Sequence, residues 1–217
     1  MSTITTFENN RWKKSDQAVV FRHDAVLRMI DGGSVLDLGC GDGLLLSLLR
    51  KRGLGGKGFD ISDEAVARCR ARGFDVDKFD FSTPNLPIGQ NTYENVVLLD
   101  VLEHLYYPAA LLAEAARVSK NYVIAAVPNF NSLPARLQVM LGLVPENNRP
   151  RKGHVYWFNG KILINMMEKT GLEIVEIEYN TFWSHKPIIG VLLNYLARIF
   201  PSLFALSFIV KARKCNV

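Results

Sequence analysis

Cysteine is scarce in this 217-residue chain, which has Cys40, Cys69 and Cys215 and no others. An odd count without metal-ligand spacing supplies neither a disulfide framework nor a metal site, so neither is expected, and a reducing cytoplasm is. Long apolar runs are missing too. Lys186, Arg198 and Pro201 interrupt the most apolar stretch, near the C-terminus, so no stable membrane insertion is expected. Residues 1–14 carry Arg11, Lys13 and Lys14 without an apolar core and do not read as a signal peptide. The charge excess is small: +5 at pH 7 does not by itself indicate nucleic acid, though it favours anionic substrates or surfaces. An apolar share of 48% and a charged share of 22% are ordinary for a globular protein. The length suits one domain over 1–217, large enough to bury a core.

What the chain does have is the stretch Ser34-Val35-Leu36-Asp37-Leu38-Gly39-Cys40-Gly41-Asp42-Gly43, followed by the helical start Leu44 to Leu49. It reads as a strand, a tight turn and a helix N-terminus. Gly39, Gly41 and Gly43 permit backbone conformations that a Cβ forbids and allow a ligand to lie close. A dinucleotide loop reads G-x-G-x-x-G, with pyrophosphate on the helix N-terminus. Here the third glycine comes one position early, Leu44 stands where that pattern wants glycine, and Asp37 precedes the loop. A carboxylate at the strand end disfavours phosphate and favours a cation.

Apolar positions from Ser15 to Ile30 predict a first helix, stopped by Asp31-Gly32-Gly33. A helix over about 43–52, a strand closing at Gly58-Phe59-Asp60, a helix over 63–72 and a strand over 74–79 follow. Asn95 to Asp100 is a continuous apolar strand of the kind buried on both faces of a parallel sheet. Pro108 opens a helix to about Ser119, and Asn121 to Val127 is a fifth strand. The segment 129–158 breaks the rhythm with a short helix (Leu133 to Leu141) and the basic run Arg149-Pro150-Arg151-Lys152-Gly153-His154. It is expected to form a lid over the ligand crevice. A helix from Asn159 to Thr170, a strand over 172–179, a helix over 187–200 and a strand over 203–212 complete the chain. The expected fold is therefore α/β: a doubly wound, mostly parallel, seven-stranded sheet.

With these residues placed, D-x-G-x-G-x-G resembles the first motif of the class I S-adenosylmethionine-dependent methyltransferases, whose cofactor carries a sulfonium and an amino group and no phosphate. The segment Asp100 to Pro108 (D-V-L-E-H-L-Y-Y-P) is similar to ubiquinone-biosynthesis and type-11 small-molecule methyltransferases. Val127-Pro128-Asn129-Phe130 with Ala135-Arg136-Leu137-Gln138 is similar to the MetW family of methionine biosynthesis. Gly153 to Phe158 is also typical of methyltransferases in sugar pathways. The resemblance implies S-adenosyl-L-methionine as cofactor, in contact with Asp37, Gly39, Cys40, Gly41, Gly43, Asp60, Ile61, Asp80, Phe81, Asp100 and Val101. Asp60 lies about twenty residues after Asp37, the separation at which an acidic residue meets ribose hydroxyls. Asp80 would accept from the adenine amino group and Phe81 pack on the ring. The bland alternatives are a helix cap for Asp60 and a turn residue for Asp80.

Methyl transfer from a sulfonium is an in-line displacement that needs chiefly alignment, so no fixed catalytic residue is required. For a hydroxyl acceptor a general base helps. His104 is the best placed, His154 is second, and Glu103 is expected nearer the cofactor. A nucleic-acid methyltransferase should carry an Asn/Asp-Pro-Pro-aromatic motif after the fourth strand, and Asp100-Val101-Leu102-Glu103 is not one. The acceptor is thus expected to be a small molecule. The MetW resemblance also implies an alternative: a cofactor-binding, non-catalytic partner of homoserine O-acyltransferase.

Overall fold

The structure, a computed structural model, describes residues 3–12, 21–83, 85–182 and 187–215. Among the described residues, α1 (Thr3–Trp12) and α2 (Phe21–Met29) precede the first strand, β1 (Val35–Leu38). Then α3 (Leu44–Lys51), β2 (Gly56–Asp60), α4 (Asp63–Ala71), β3 (Asp75–Lys78) and β4 (Tyr93–Leu99) follow. Next come α5 (Pro108–Val118), β5 (Ser119–Pro128), α6 (Leu133–Met140), α7 (Gly160–Lys169) and β6 (Leu172–Thr181). The chain closes with α8 (Pro187–Ile199), α9 (Pro201–Phe204) and β7 (Ala205–Lys214).

The seven strands form one sheet in the order β3-β2-β1-β4-β5-β7-β6. Pairing is parallel from β3 to β5, and β7 inserts antiparallel between β5 and β6. The expected mostly parallel, doubly wound sheet is what the chain forms. Strand parity sorts the core into two layers. Val96 and Leu98 of β4 pack with Leu111 and Leu112 of α5 and Leu163 of α7 on one face. Val97 packs with Met29, Leu45, Leu49 and Val66 from α2, α3 and α4 on the other. Burial on both faces is why β4 reads as a continuous apolar run.

The departures from expectation are local. The helix expected from Ser15 is seen only as α2 from Phe21, because residues 13–20 lie outside the described residues. The third strand is shorter than 74–79: the ring of Phe74 is taken up under the Arg50 guanidinium, 3.9 Å away. Helix α1 was not expected at all, since TITTFENNRW has no apolar stripe. A ten-residue polar helix is marginal alone; tertiary contact holds this one. Ser62 Oγ donates to Asn9 Oδ1 at 2.7 Å, and Trp12 is buried. Among the described residues no helix is long and apolar enough to cross a membrane.

Candidate active site

The loop between β1 and α3 is built by backbone geometry. Gly39, Gly41 and Gly43 all have positive φ, at 83°, 54° and 81°. The amides of Gly39 and Cys40 both donate to the Phe59 carbonyl, at 2.7 and 3.0 Å, which seats the loop on the end of β2. A Cβ on Gly39 would collide with the Val101 side chain. A Cβ on Gly43 would press on Cys69 Sγ (2.9 Å) and the Phe74 ring (3.1 Å), so this glycine serves helix packing. Gly58, which sequence reading passed over, is needed in the same way: its Cβ would meet Cys40 Sγ at 2.7 Å.

Two buried carboxylates lie behind this loop. Asp60 Oδ2 accepts from the Gly41 amide at 2.8 Å, and Oδ1 accepts from the Ser62 amide at 2.9 Å. The cap of α4 is Ser62, whose Oγ accepts from the Ala65 amide, so Asp60 is free of that duty. Burial raises the Asp60 pKa against the pull of those amides. Asp37 is buried in β1, and burial, then the Asp60 charge, push it up to about 7. Two buried acids that repel each other favour a cationic ligand nearby.

Asp60 borders a cavity of about 230 Å³ that is also lined by Gly39, Ile61, Asp80, Phe81, Asp100, Val101 and His104. Asp37, Cys40, Gly41 and Gly43 stand outside this lining. Cys40 packs among Val35, Val66 and Val76 in the core, and its thiol is raised by contact with Cys69 and by burial. Asp80 also holds a local turn, accepting from the Ser82 amide at 3.0 Å. Asp100 takes a positive φ of 56° and pairs with Arg22 at 2.6 Å. The wall further includes Glu8, Arg11 and Trp12 of α1 and Arg22 and His23 of α2, which sequence reading missed. A lone tryptophan in a polar stretch was the one available signal.

A second cavity, of about 730 Å³, adjoins the first. Arg11, Arg22, Asp100 and His104 line both. Much of its wall comes from 129–158, including Ser132, Gln138, Asn147, Lys152 and His154. The segment is tied to the turn after β4, where the Val155 and Tyr156 amides donate to the Glu103 carbonyl, at 2.9 and 3.0 Å.

Where the cavities meet, His104 Nδ1 lies 3.1 Å from the Gly153 carbonyl oxygen. His154 Nδ1 lies 2.8 Å from that of Asn147. The two rings meet edge-on, 4.9 Å between centroids. Burial, then His154, lower the His104 pKa to about 4; burial also lowers that of His154. Glu103 is 1% exposed, and burial, then Asp100, push its carboxyl well up. Its Oε1 stands 3.9 Å from His154 Nε2, and Oε2 has no hydrogen-bond partner among the described residues. The sequence expectation of no metal site did not anticipate this cluster, because His154 is far from Glu103 and His104 in the chain.

Comparison with known proteins agrees with this architecture. The family described as "Methionine biosynthesis protein MetW" matches residues 21–172. The ubiquinone biosynthesis O-methyltransferase of Photobacterium profundum is 26% identical over 184 residues, covering 76% of each chain. That of Methylococcus capsulatus is 32% identical over 117 residues, covering 51% of this chain and 49% of the relative. Among solved structures, magnesium protoporphyrin IX methyltransferase (ChlM) from Synechocystis, with bound SAH, superposes with a TM-score of 0.70. Identity there is 18%, and 98% of each chain is covered. A SAM-dependent methyltransferase from Archaeoglobus fulgidus gives a TM-score of 0.67 at 21% identity, covering 98% of this chain and 100% of its own. The chain belongs to the MetW family and is a class I S-adenosylmethionine-dependent methyltransferase.

Proposed function

We propose that the protein transfers the methyl group of S-adenosylmethionine to an oxygen of a small-molecule acceptor held in the larger cavity. The observation that carries this reading is the pair of adjoining cavities that meet at Asp100 and His104. The smaller, with Gly39, Asp60, Ile61, Asp80, Phe81, Asp100 and Val101 on its wall, takes the cofactor. Asp37, Cys40, Gly41 and Gly43 shape that wall from behind. The buried acids favour the cofactor's positive charge, and Asp60, bordering the cavity, is placed for the ribose hydroxyls. The larger cavity takes the acceptor, and segment 129–158 closes over it. The likeness to ubiquinone biosynthesis O-methyltransferases supports oxygen as the methylated atom.

The chemistry asks for alignment of the acceptor oxygen, methyl carbon and sulfur, an effect able to supply about 7–11 kcal/mol. His104 stands at the junction. Because a carbonyl can only accept, its contact with Gly153 puts the proton on Nδ1 and leaves Nε2 as an acceptor toward substrate. With a pKa of about 4 it is neutral at pH 7, yet it draws off a proton only from a hydroxyl that is already acidic. Its role is to orient such a hydroxyl and take its proton.

The family's description supports a place in methionine biosynthesis; the scarcity of cysteine favours a reducing cytoplasm, and homoserine O-acyltransferase is the partner to test. Calorimetric titration should show binding of S-adenosylmethionine and its demethylated product, with no binding of NAD. Incubation with methyl-labelled cofactor and cell extract should then yield a labelled small molecule, and His104→Ala should abolish the transfer. Tight NAD binding would overturn the cofactor assignment. Retention of the acyltransferase without transfer to any acceptor would make the protein a partner and not an enzyme.

A further inference from the structure

Glu103, His104 and His154 each offer one ligand atom, and these atoms lie within 4.8 Å of one another. Both imidazoles commit Nδ1 to a backbone carbonyl, His104 to Gly153 and His154 to Asn147. The proton on each ring therefore sits on Nδ1, and each Nε2 keeps its lone pair. This is the outer-shell arrangement that orients metal-bound histidines. The third member, Glu103, is 1% exposed, and its Oε2 makes no hydrogen bond among the described residues. Its Oε1 stands 3.9 Å from His154 Nε2, beyond hydrogen-bond distance. Buried polar atoms in native proteins nearly always find partners. A single cation would satisfy the carboxylate and both imidazoles together.

We propose that Glu103, His104 and His154 form a binding site for a divalent transition-metal ion of the zinc type, opening onto the acceptor cavity. Two imidazoles and one carboxylate suit zinc-type ions, whereas magnesium and calcium favour all-oxygen shells. All three residues line the larger cavity, so an ion held there is reached from the acceptor side. Zinc takes nitrogen and oxygen ligands at about 2.0–2.2 Å, so the cluster must draw in by roughly an ångström. His154 is carried by the 129–158 segment, so a small shift of that segment toward Glu103 would supply that contraction. An ion at this place occupies the Nε2 lone pair of His104 and orients the acceptor oxygen in its stead. The proposal rests on the acceptor cavity and is independent of the cofactor site.

The test uses the full-length protein stripped with chelator and titrated with zinc chloride by calorimetry, then with cobalt(II) followed by visible absorption. S-adenosylhomocysteine is titrated separately. The expected result is one zinc per chain and a cobalt absorption band typical of nitrogen ligation. His154→Ala should weaken zinc binding more than about tenfold, the scale at which even outer-shell partners act, with S-adenosylhomocysteine affinity unchanged. Glu103→Gln, which keeps the side-chain shape, should weaken zinc binding by at least as much; should it fail to fold, His154→Ala decides alone. No stoichiometric zinc binding, zinc binding indifferent to these substitutions, or a preference for magnesium would overturn the proposal. Zinc binding without S-adenosylhomocysteine binding would remove the cofactor reading and leave the metal site standing. The converse would remove only the metal site.

Discussion

The loop after β1 and the segment after β5 both cross the carboxyl end of the sheet, yet they are held in different ways. Amides of Gly39, Cys40 and Gly41 anchor the first to Phe59 and Asp60, with no room for a Cβ at Gly39. In the second, side chains do more of the holding. Glu146 gathers Arg149, Arg151 and Lys152, and Leu137, Val139, Met140 and Leu141 remain exposed. On the function proposed above, a cofactor common to many enzymes would be met by rigid backbone, and an acceptor particular to one enzyme by replaceable side chains.

The largest test of that contrast sets two glycines side by side. Gly39→Ala combines a left-handed φ with a collision against Val101, which should cost about 2–5 kcal/mol of stability and abolish cofactor binding. Gly142, at φ 71° with open space around it, should cost only about 1 kcal/mol on the same change and leave cofactor binding intact. Urea unfolding and calorimetry on the two variants compare them. Equal losses would erase the contrast.

Next comes pH. The unfolded Asp37 titrates near 3.8 and the folded one near 7. Between these values the native state holds the extra proton, so this residue makes stability fall as pH rises from about 4 to about 7, with no further change above. The full span corresponds to about 4 kcal/mol at most. Asp60, Glu103 and Glu8, also raised by burial, act in the same direction. In cofactor-free protein, Asp37→Asn should flatten much of the slope of unfolding free energy against pH. An unchanged slope would show that Asp37 is ionised in the fold throughout.

Asp60→Ala leaves the amides of Gly41 and Ser62 without their acceptor. A stability loss of about 1–3 kcal/mol is expected, offset in part at high pH because Asp37 loses a repelling neighbour. Cofactor affinity should fall at least about tenfold, the value of one charge-assisted hydrogen bond. An unchanged affinity in calorimetry, with normal thermal unfolding, would confine Asp60 to holding the loop. The smallest effect is expected for Arg151→Ala. Its side chain is 67% exposed in the ion pair with Glu146, and thermal unfolding should shift by no more than about 0.5 kcal/mol equivalent. A larger loss would mean that the segment is as rigid as the glycine loop.

These two regions also differ in how far they could be read in advance. The glycine loop, the end of β2 at Asp60 and the turn at Asp80 carry local signals: each is marked by residues adjacent in sequence, and glycines follow α3, α4, α6 and α7. Helix α1 was hidden because its support comes from Asn9 meeting Ser62 and from the burial of Trp12. Cys40 was legible as a loop member, but its place in the core depends on Gly58 and Cys69 coming from elsewhere. The Glu103, His104 and His154 cluster depends on the chain returning to Glu103 after α5, β5 and α6, which no spacing rule encodes. Local chemistry is readable from sequence, and convergence of distant segments is not.

Strand β7 lies between β5 and β6, and β6 pairs with β7. During synthesis, β5 therefore presents an open edge and β6 lacks its ladder until residues 205–214 have left the ribosome. The parallel half can assemble early, but the sheet stays unzipped on its far side until residues 205–214 arrive, and a chain stalled before β7 exposes two sticky edges at once. Removal of residues 205–214 should accordingly give an aggregating chain, and not a slightly weakened enzyme.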